Sequence, residues 1–169
     1  MEVAEAIRTR RTIKAYHPRP VARDVLEELF ELARWAPNHN LTEPWRFRVL
    51  GPEALRALKR ASGEEAAPKL DRAPTLVVAS TVQGGDPVQD EEDLLAAACA
   101  TYVVLLAAHD RGLAGYWRTP SVLRTEAGRA ACAVPASERV LGLLHLGDAR
   151  QAKEPPPRGA TDDFVEYLP

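Results

Sequence analysis

The sequence predicts an α+β sandwich, in which helices cover a mostly buried sheet. Helical and strand-like segments follow one another in the order α-α-β-α-β-α-β-α-β. The run Thr75–Ser80 is apolar and β-branched, which is typical of a buried strand, and the run from about 90 to 111 is apolar nearly all round, which is typical of a buried helix. No repeat or linker divides the chain, so residues 1–169 are expected to form one domain.

Spacing and end signals define each element. Val25, Leu26 and Leu29 recur at helical spacing in the second helix, and Pro37 ends it. The predicted helices are 2–10, 22–35, 53–62, 90–111 and a last one from Ser121, its cap, to about 132. The predicted strands are Phe47–Leu50, Thr75–Ser80, Leu113–Trp117 and Val140–Leu146. A Pro-rich tail leads to a short predicted strand at Phe164–Tyr167, whose apolar side chains need a surface to lie on, such as a partner subunit.

Composition excludes several classes of function. The formal net charge is -2, which disfavours nucleic acid as the main partner because phosphate binding needs a positive surface. The two cysteines, Cys99 and Cys132, lie in no metal-ligand pattern, so no metal site is expected. Cys99 falls in an Ala/Leu/Val run and is expected to be a small buried side chain.

The sequence also indicates a cytoplasmic protein that does not enter membranes. The charged segment Met1–Arg11 lacks the apolar stretch of a signal peptide. The longest apolar run, Leu94–Ala108, has 15 residues, whereas a membrane-spanning helix needs about 20. A buried core helix is therefore the better interpretation of this run.

The first segment with chemical potential is Arg10-Arg11-Thr12-Ile13-Lys14, where three cations and a hydroxyl group follow the first predicted helix. An arginine side chain can donate two hydrogen bonds to two oxygens of one phosphate, and a threonine hydroxyl adds another donor. The alternative is a solvated basic patch, because cations are favoured at a helix C-terminus. Spacing alone leaves both interpretations open.

Two further segments gather polar and aromatic residues. The turn after the second helix carries His39, four residues beyond Trp35, and such turns between rigid elements often hold sites. The end of the third predicted strand carries Trp117, Arg118 and Thr119, at a sheet edge where ligands often bind. The alternatives are that Trp35 and Trp45 are core anchors, that His39 is a surface turn residue, and that Arg118 is an exposed cation beside an edge aromatic.

Taken together, these segments resemble the nitroreductase family of flavoenzymes over essentially the whole chain. The run at 10–14 is similar to the family's Arg-Arg-Ser-x-Arg/Lys opening. Residues 36–47, which include Ala36-Pro37 and Pro44-Trp45, are similar to its Ala-Pro-Ser…Gln-Pro-Trp segment, and residues 115–119 to its late Gly-x-Trp strand end. The short chain and the Asn38-His39 pair are most similar to the small, minimal branch of the family.

The resemblance implies an α+β sandwich with a mixed, mainly antiparallel central sheet, and a homodimer with one FMN per subunit at its interface. It assigns the FMN phosphate and ribityl chain to Arg10, Arg11 and Thr12, and the flavin pyrimidine edge to Lys14. It places Trp117, Arg118 and Thr119 in the same pocket, and His39 and, less directly, Trp35 in that pocket from the partner subunit.

The activity that the resemblance implies is FMN-dependent oxidation of NADH or NADPH. In a ping-pong order, the nicotinamide gives a hydride to flavin N5 and leaves, and a nitroaromatic, quinone or similar electron-poor acceptor then takes the electrons. Because the flavin carries the chemistry, no catalytic side chain is expected. None of the four histidines pairs with a Cys or Ser nucleophile in the sequence, and we expect His109 and His145 to be structural.

Three positions depart from the family pattern: Asn38 replaces its common Ser, Leu41 its common Asn and Glu43 its common Gln. The hydrogen bonds of those groups therefore cannot be carried over. Two alternative functions stay open. One is a family member that binds flavin without reductase turnover, in a flavin-cleaving or regulatory role. The other is a nucleic-acid-binding module that uses the basic run at 10–14, although this run has no interleaved aromatic residues.

Overall fold

A computed structural model describes residues 1–169 and places a four-stranded antiparallel sheet between two groups of helices. In chain order the elements are α1 (Val3–Thr9), α2 (Arg23–Ala33), β1 (Trp45–Val49), α3 (Pro52–Ser62), β2 (Thr75–Val82), α4 (Pro87–Asp110), β3 (Ala114–Arg118), α5 (Glu126–Ala131) and β4 (Glu138–Gly147). Short 3₁₀ turns lie at His39–Leu41, Ala67–Leu70, Ser121–Arg124 and Thr161–Asp163. The predicted α+β class is confirmed.

The strands lie in the order β1-β2-β4-β3, and each neighbouring pair is antiparallel. This order leaves β1 and β3 at the two edges of the sheet. At the β3 edge the chain before α2 adds one parallel bridge, between Thr12 and Gly115. The expected mixed, mainly antiparallel sheet is therefore present, and its single parallel contact lies beside the first predicted site segment.

Alternation along the strands creates two apolar layers. On β2, Leu76 and Val78 pack towards α3 and α5, whereas Val77 packs towards α2 and α4. The same alternation on β3 turns Ala114 towards the α3 and α5 layer. The side chains of an edge strand thus face two different layers, and this decides which predicted site residues share a pocket.

The long helix α4 is buried on one side only. Its N-terminus is capped by the Asp86 carboxylate, which accepts hydrogen bonds from the backbone N–H groups of Val88 and Gln89. By length and composition alone α4 could cross a membrane, but half of its apolar stretch is buried within the protein, as is usual for a core helix. Its outer face exposes Leu95 and Cys99. The prediction that Cys99 is buried was therefore wrong.

Two further sequence predictions need correction. The helix expected from Ser121 is a 3₁₀ turn followed by α5, and it is Thr125 that caps α5, because its hydroxyl accepts a hydrogen bond from the Gly128 N–H. A Cβ at Gly128 would lie 1.9 Å from the Val122 carbonyl oxygen, so only glycine permits this close contact. The strand expected at Phe164–Tyr167 does not form, and every residue from 151 to 169 is exposed.

A buried ion pair ties the strands together. Both terminal nitrogens of Arg48 on β1 donate to the carboxylate of Glu138 on β4, at 2.7 Å, and the Ser80 hydroxyl on β2 donates to the same carboxylate at 2.6 Å. Burial acts to raise the pKa of Glu138, but the hydrogen bonds from Arg48 and Ser80 lower that pKa below its ordinary value. Glu138 is therefore charged at neutral pH and fully paired.

We predict that Arg48→Met lowers the free energy of unfolding by about 3–5 kcal/mol, because it leaves the Glu138 carboxylate buried without its partner. Urea unfolding at pH 7 measures this difference. Arg46→Met, at the neighbouring exposed arginine of β1, is the control and should change stability by less than about 0.5 kcal/mol. Since the pKa of Glu138 is depressed, the stability that its charged form contributes is lost as the pH falls through that pKa. The free energies of unfolding of the two variants should therefore converge at acid pH. Equal stabilities at pH 7 would contradict the assignment.

Candidate functional site

A strip of cations follows the edge strand β3. The bridge between Thr12 and Gly115, with a 3.4 Å hydrogen bond from the Ile13 N–H to the Gly115 carbonyl, lays the segment 10–14 along this edge. The chain thus positions its first predicted site segment by backbone pairing. Tyr116 follows Gly115 on β3. The ammonium of Lys14 lies 5.6 Å from the centre of the Tyr116 ring.

One end of the strip is a cavity of about 330 Å³ where α1 meets β3. Arg10, Arg11 and Lys153 line it together with Thr9, His109, Gln151 and several small or apolar residues, and no carboxylate does. The Nε atoms of both arginines are buried and have no hydrogen-bond partner, although the two terminal nitrogens of Arg11 donate to the backbone carbonyls of Arg10 and Arg8. Buried donors without acceptors, in a cavity without acidic groups, are suited to an anion.

Lys153 is a site residue that the sequence analysis missed. It enters the cavity because the chain after β4 runs antiparallel to the chain after Lys14. The His17 N–H donates to the Asp148 carbonyl at 2.9 Å, and the Arg150 N–H donates to the Ala15 carbonyl at 3.0 Å. Only the sheet topology could have indicated Lys153 as a site residue, because it lies at the opposite end of the sequence from the arginines.

Two histidines, the half-buried His109 and the buried His145, stay uncharged beside this strip. Burial, and then the charges of Arg10 and Arg11, lower the pKa of His109, whose Nε2 lies 2.7 Å from the Thr9 hydroxyl. His145 is fully buried beneath Tyr116, and burial, followed by nearby arginines, lowers its pKa to about 4. Neither ring is within reach of a Cys or Ser nucleophile among the hydrogen bonds of the structure, in line with the structural role expected for both.

The far end of the strip is formed by the end of β3. Trp117 and Arg118 face opposite sides of the sheet: the Trp117 indole packs in the α2 and α4 layer and donates to the Leu141 carbonyl at 3.2 Å. Gly142 makes room for this ring, because a Cβ there would lie 2.5 Å from the indole nitrogen. Arg118 lines a second pocket on the other side, with one buried Nη1 that has no partner, and Thr119 is exposed.

The structure does not bring the second motif to this strip within one chain. Trp35 is 78% exposed and lines an apolar groove of about 410 Å³ between α1, α2 and α4. His39 is exposed as well, and its Nδ1 lies 4.0 Å from a carboxylate oxygen of Glu92 on α4. The sequence-predicted site residues therefore form two groups: those along β3, and Trp35 with His39 on the outer face of the α2 and α4 layer.

The residues that depart from the family pattern shape the turn that carries His39. The Asn38 carboxamide oxygen accepts a hydrogen bond from the Glu43 N–H at 3.0 Å, which closes the turn. Leu41 and Glu43 have φ angles of 51° and 44°, a left-handed conformation that is uncommon for side chains other than glycine and asparagine. Leu41 projects into solvent, and the Asn38 carboxamide is used within the turn at both ends, because its nitrogen also donates to the Ala36 carbonyl at 3.2 Å.

Comparison with known proteins identifies the family to which the chain belongs. A relative from Haemophilus influenzae, named “Putative NAD(P)H nitroreductase”, is 32% identical in an alignment that covers 99% of this chain and 100% of the relative. The chain belongs to the nitroreductase family. The model of the Nitroreductase family matches residues 7–69, the part of the chain that carries the first two motifs. The family is one of oxidoreductases.

Solved structures show the nitroreductase fold. The nitroreductase-like family protein from Bacillus cereus superposes with a TM-score of 0.90 at 24% identity, covering 99% of this chain and 96% of that one. The FMN and NADPH-dependent nitroreductase NfnB from Sphigopyxis sp. strain HMH superposes with a TM-score of 0.84 at 18% identity, covering all of both chains. The fold expected from the three motifs is thus confirmed.

Proposed function

We propose that this nitroreductase-family chain is an FMN-dependent NAD(P)H oxidoreductase that acts as a cytoplasmic homodimer, with residues 1–169 as one domain. The observation that carries the proposal is the cation-lined cavity beside β3, in which the guanidinium groups of Arg10 and Arg11 have buried nitrogens without partners. The description of the Sphigopyxis relative, which names FMN and NADPH, adds support.

The cavity fits the phosphate end of FMN. Each buried N–H group without an acceptor costs about 1–3 kcal/mol, and phosphate oxygens would supply the missing acceptors. Lys153 adds a third positive charge, and no carboxylate competes for the three cations. Thr12, which follows the arginines along the β3 edge, would direct its hydroxyl group to the ribityl chain.

The rest of the strip fits the ring system. From Ala114 to Arg118 the strand rises by about 13 Å, so Lys14 and Tyr116 lie between the two ends. Lys14 would place its positive charge at the pyrimidine edge, where it favours negative charge on the ring. Trp117, Arg118 and Thr119 would close the far end of the strip.

When bound, FMN would take a hydride from NADH or NADPH and pass the electrons to an electron-poor acceptor such as a nitroaromatic or a quinone. The chain's part is to bind and orient the ring and to leave one face of it open. Only residues 83–86 connect β2 to α4, so no lid segment covers this face from that side. Donor and acceptor would then use the same face in turn, which is a ping-pong order.

The outer face of α4 supports a homodimer that shares this site. Val88, Leu95 and Tyr102 are exposed along it, and Trp35 lines the apolar groove beside it. Exposed apolar surface of this kind marks protein interfaces. The Arg10 guanidinium lies 5.8 Å from the centre of the Tyr102 ring, so the cation strip borders the same face. A second copy packed there would bring its own His39 and Trp35 towards the strip.

We predict that Arg10→Ala weakens FMN binding by a few kcal/mol, about the effect of losing a charged, partly buried hydrogen-bond partner. Fluorescence titration of FMN into flavin-stripped protein measures the dissociation constant. Arg8→Ala is the matched control, because Arg8 lies on α1 two residues before Arg10, is exposed and lines no part of the cavity. This variant should bind FMN like the wild type. An unchanged affinity for Arg10→Ala would refute the phosphate assignment.

A heterodimer tests whether two copies build each site. We predict that Arg10→Ala and His39→Ala each lose flavin as homodimers, whereas the heterodimer of the two, isolated with two affinity tags, retains about half of the wild-type flavin. In the heterodimer one site carries both changes and the other carries neither. Flavin loss equal to that of the homodimers would show that Arg10 and His39 serve the same site from one chain, or no common site.

A further inference from the structure

His109 lies where the last turn of α4 meets the cavity around Arg10 and Arg11. Its ring lines this cavity of about 330 Å³ together with Thr9 from the end of α1. The side chain is half-buried, and the sequence predicts a structural role for it. A hydrogen bond to Thr9 agrees with that role, but it uses only one of the two ring nitrogens.

The contact with Thr9 fixes which ring nitrogen carries the proton. The Thr9 hydroxyl donates its only hydrogen to the Glu5 carbonyl at 2.7 Å, so it accepts from the Nε2 atom of His109, which lies 2.7 Å away. The uncharged ring therefore carries its proton on Nε2, and Nδ1 keeps a free lone pair with no hydrogen-bond partner in the structure. A second proton can bind at Nδ1 without breaking the bond to Thr9.

The surrounding charges explain why the ring is uncharged in the free protein. Charged groups that act on the ring or line the cavity beside it come from both ends of the chain: Glu5, Arg10, Arg11, Asp110 and Lys153. Burial and then the two arginines lower the pKa of His109, and the two carboxylates oppose this effect only in part. Asp110 is in addition paired with the Met1 amino group at 2.7 Å.

An anion in this cavity reverses that balance. A phosphate dianion offsets the two guanidinium charges that disfavour a proton on the ring, and it attracts that proton itself. His109 also lies in the last turn of the 24-residue helix α4, whose C-terminal end carries a partial negative charge that favours a charged imidazole. The surroundings that keep the ring uncharged without an anion therefore favour a charged ring with one.

We propose that His109 is a phosphate-binding residue that takes up a proton from solvent when a phosphate monoester enters the cavity, and that it thereby favours FMN over unphosphorylated flavin. The identity of the ligand as FMN rests on the proposed function, whereas the proton-linked phosphate site does not. His145 cannot take this role, because it is fully buried and lines no part of the cavity.

Calorimetric titration of FMN into flavin-stripped protein at pH 7, repeated in two buffers of different ionisation enthalpy, counts the protons taken up. The wild type should take up about 0.5–1 proton per FMN, and riboflavin, which lacks the phosphate, should bind more weakly and without uptake. His109→Gln keeps a donor for Thr9 but cannot accept the proton, so its uptake should fall close to zero. His17→Gln, at an exposed histidine outside the cavity, is the control and should match the wild type.

The pH dependence of FMN binding gives a second readout. Because the pKa of His109 is higher in the complex than in the free protein, the affinity should rise about fivefold as the pH falls from about 8.5 to about 7. His109→Gln should lose most of this gain. Both proteins keep Asp110 and the Met1 amino group, so the difference between them isolates the histidine.

The outcomes separate this proposal from the proposed function. FMN binding without proton uptake by the wild type, or with equal uptake by His109→Gln, would overturn the role of His109 and leave the proposed function intact. If FMN does not bind, phenyl phosphate replaces it as the probe. Proton uptake on phenyl phosphate binding that depends on His109 would support the phosphate site and refute the proposed cofactor, and absence of binding would overturn both.

Discussion

The pairing of the segment after α1 with the edge strand β3 is the contact on which the site depends. An edge strand leaves one row of backbone groups unpaired, and proteins commonly cover such an edge. Here the parallel bridge between Thr12 and Gly115 does so, and it turns a run of basic residues into a strip along the sheet. Without this bridge the cations at positions 10 to 14 would be an ordinary solvated patch at the end of a helix.

The distribution of charge reinforces this arrangement. The chain as a whole carries a net charge of -2, yet both pockets at the β3 edge are lined by cations and by no carboxylate. The one buried acid of the sheet, Glu138, is neutralised by Arg48 on the other edge strand. His109 and His145 stay uncharged, because desolvation and then the nearby arginines lower their pKa. Pockets lined by cations and by no carboxylate thus lie at both ends of one strand, where they can attract anionic ligands.

Much of this fold follows from local sequence signals. The period of the apolar residues and the end signal at Pro37 place many of the helices and strands, because these features act within one turn or one strand. The helix predicted from Ser121 is divided into a 3₁₀ turn and α5. This division could not be predicted, because it depends on the close approach of Gly128 to Val122, which the spacing of apolar residues does not reveal. The exposure of Cys99 was missed for a related reason: an apolar helix looks buried all round when no sequence signal shows that one of its faces has no partner within the chain.

The site was predictable in part. The three motifs identify residues on β3 and on the segment 10–14 that pairs with it. Only the sheet topology shows that Lys153 lies close to Arg10. Only the alternation of side chains along β3 shows that Trp117 and Arg118 face opposite sides of the sheet. The most direct test of the central claim is the visible absorption spectrum of the purified protein, recorded before and after NADPH is added without oxygen. The account predicts a yellow protein whose flavin band bleaches. A colourless protein that also fails to take up added FMN would contradict the cofactor and the role of the β3 strip.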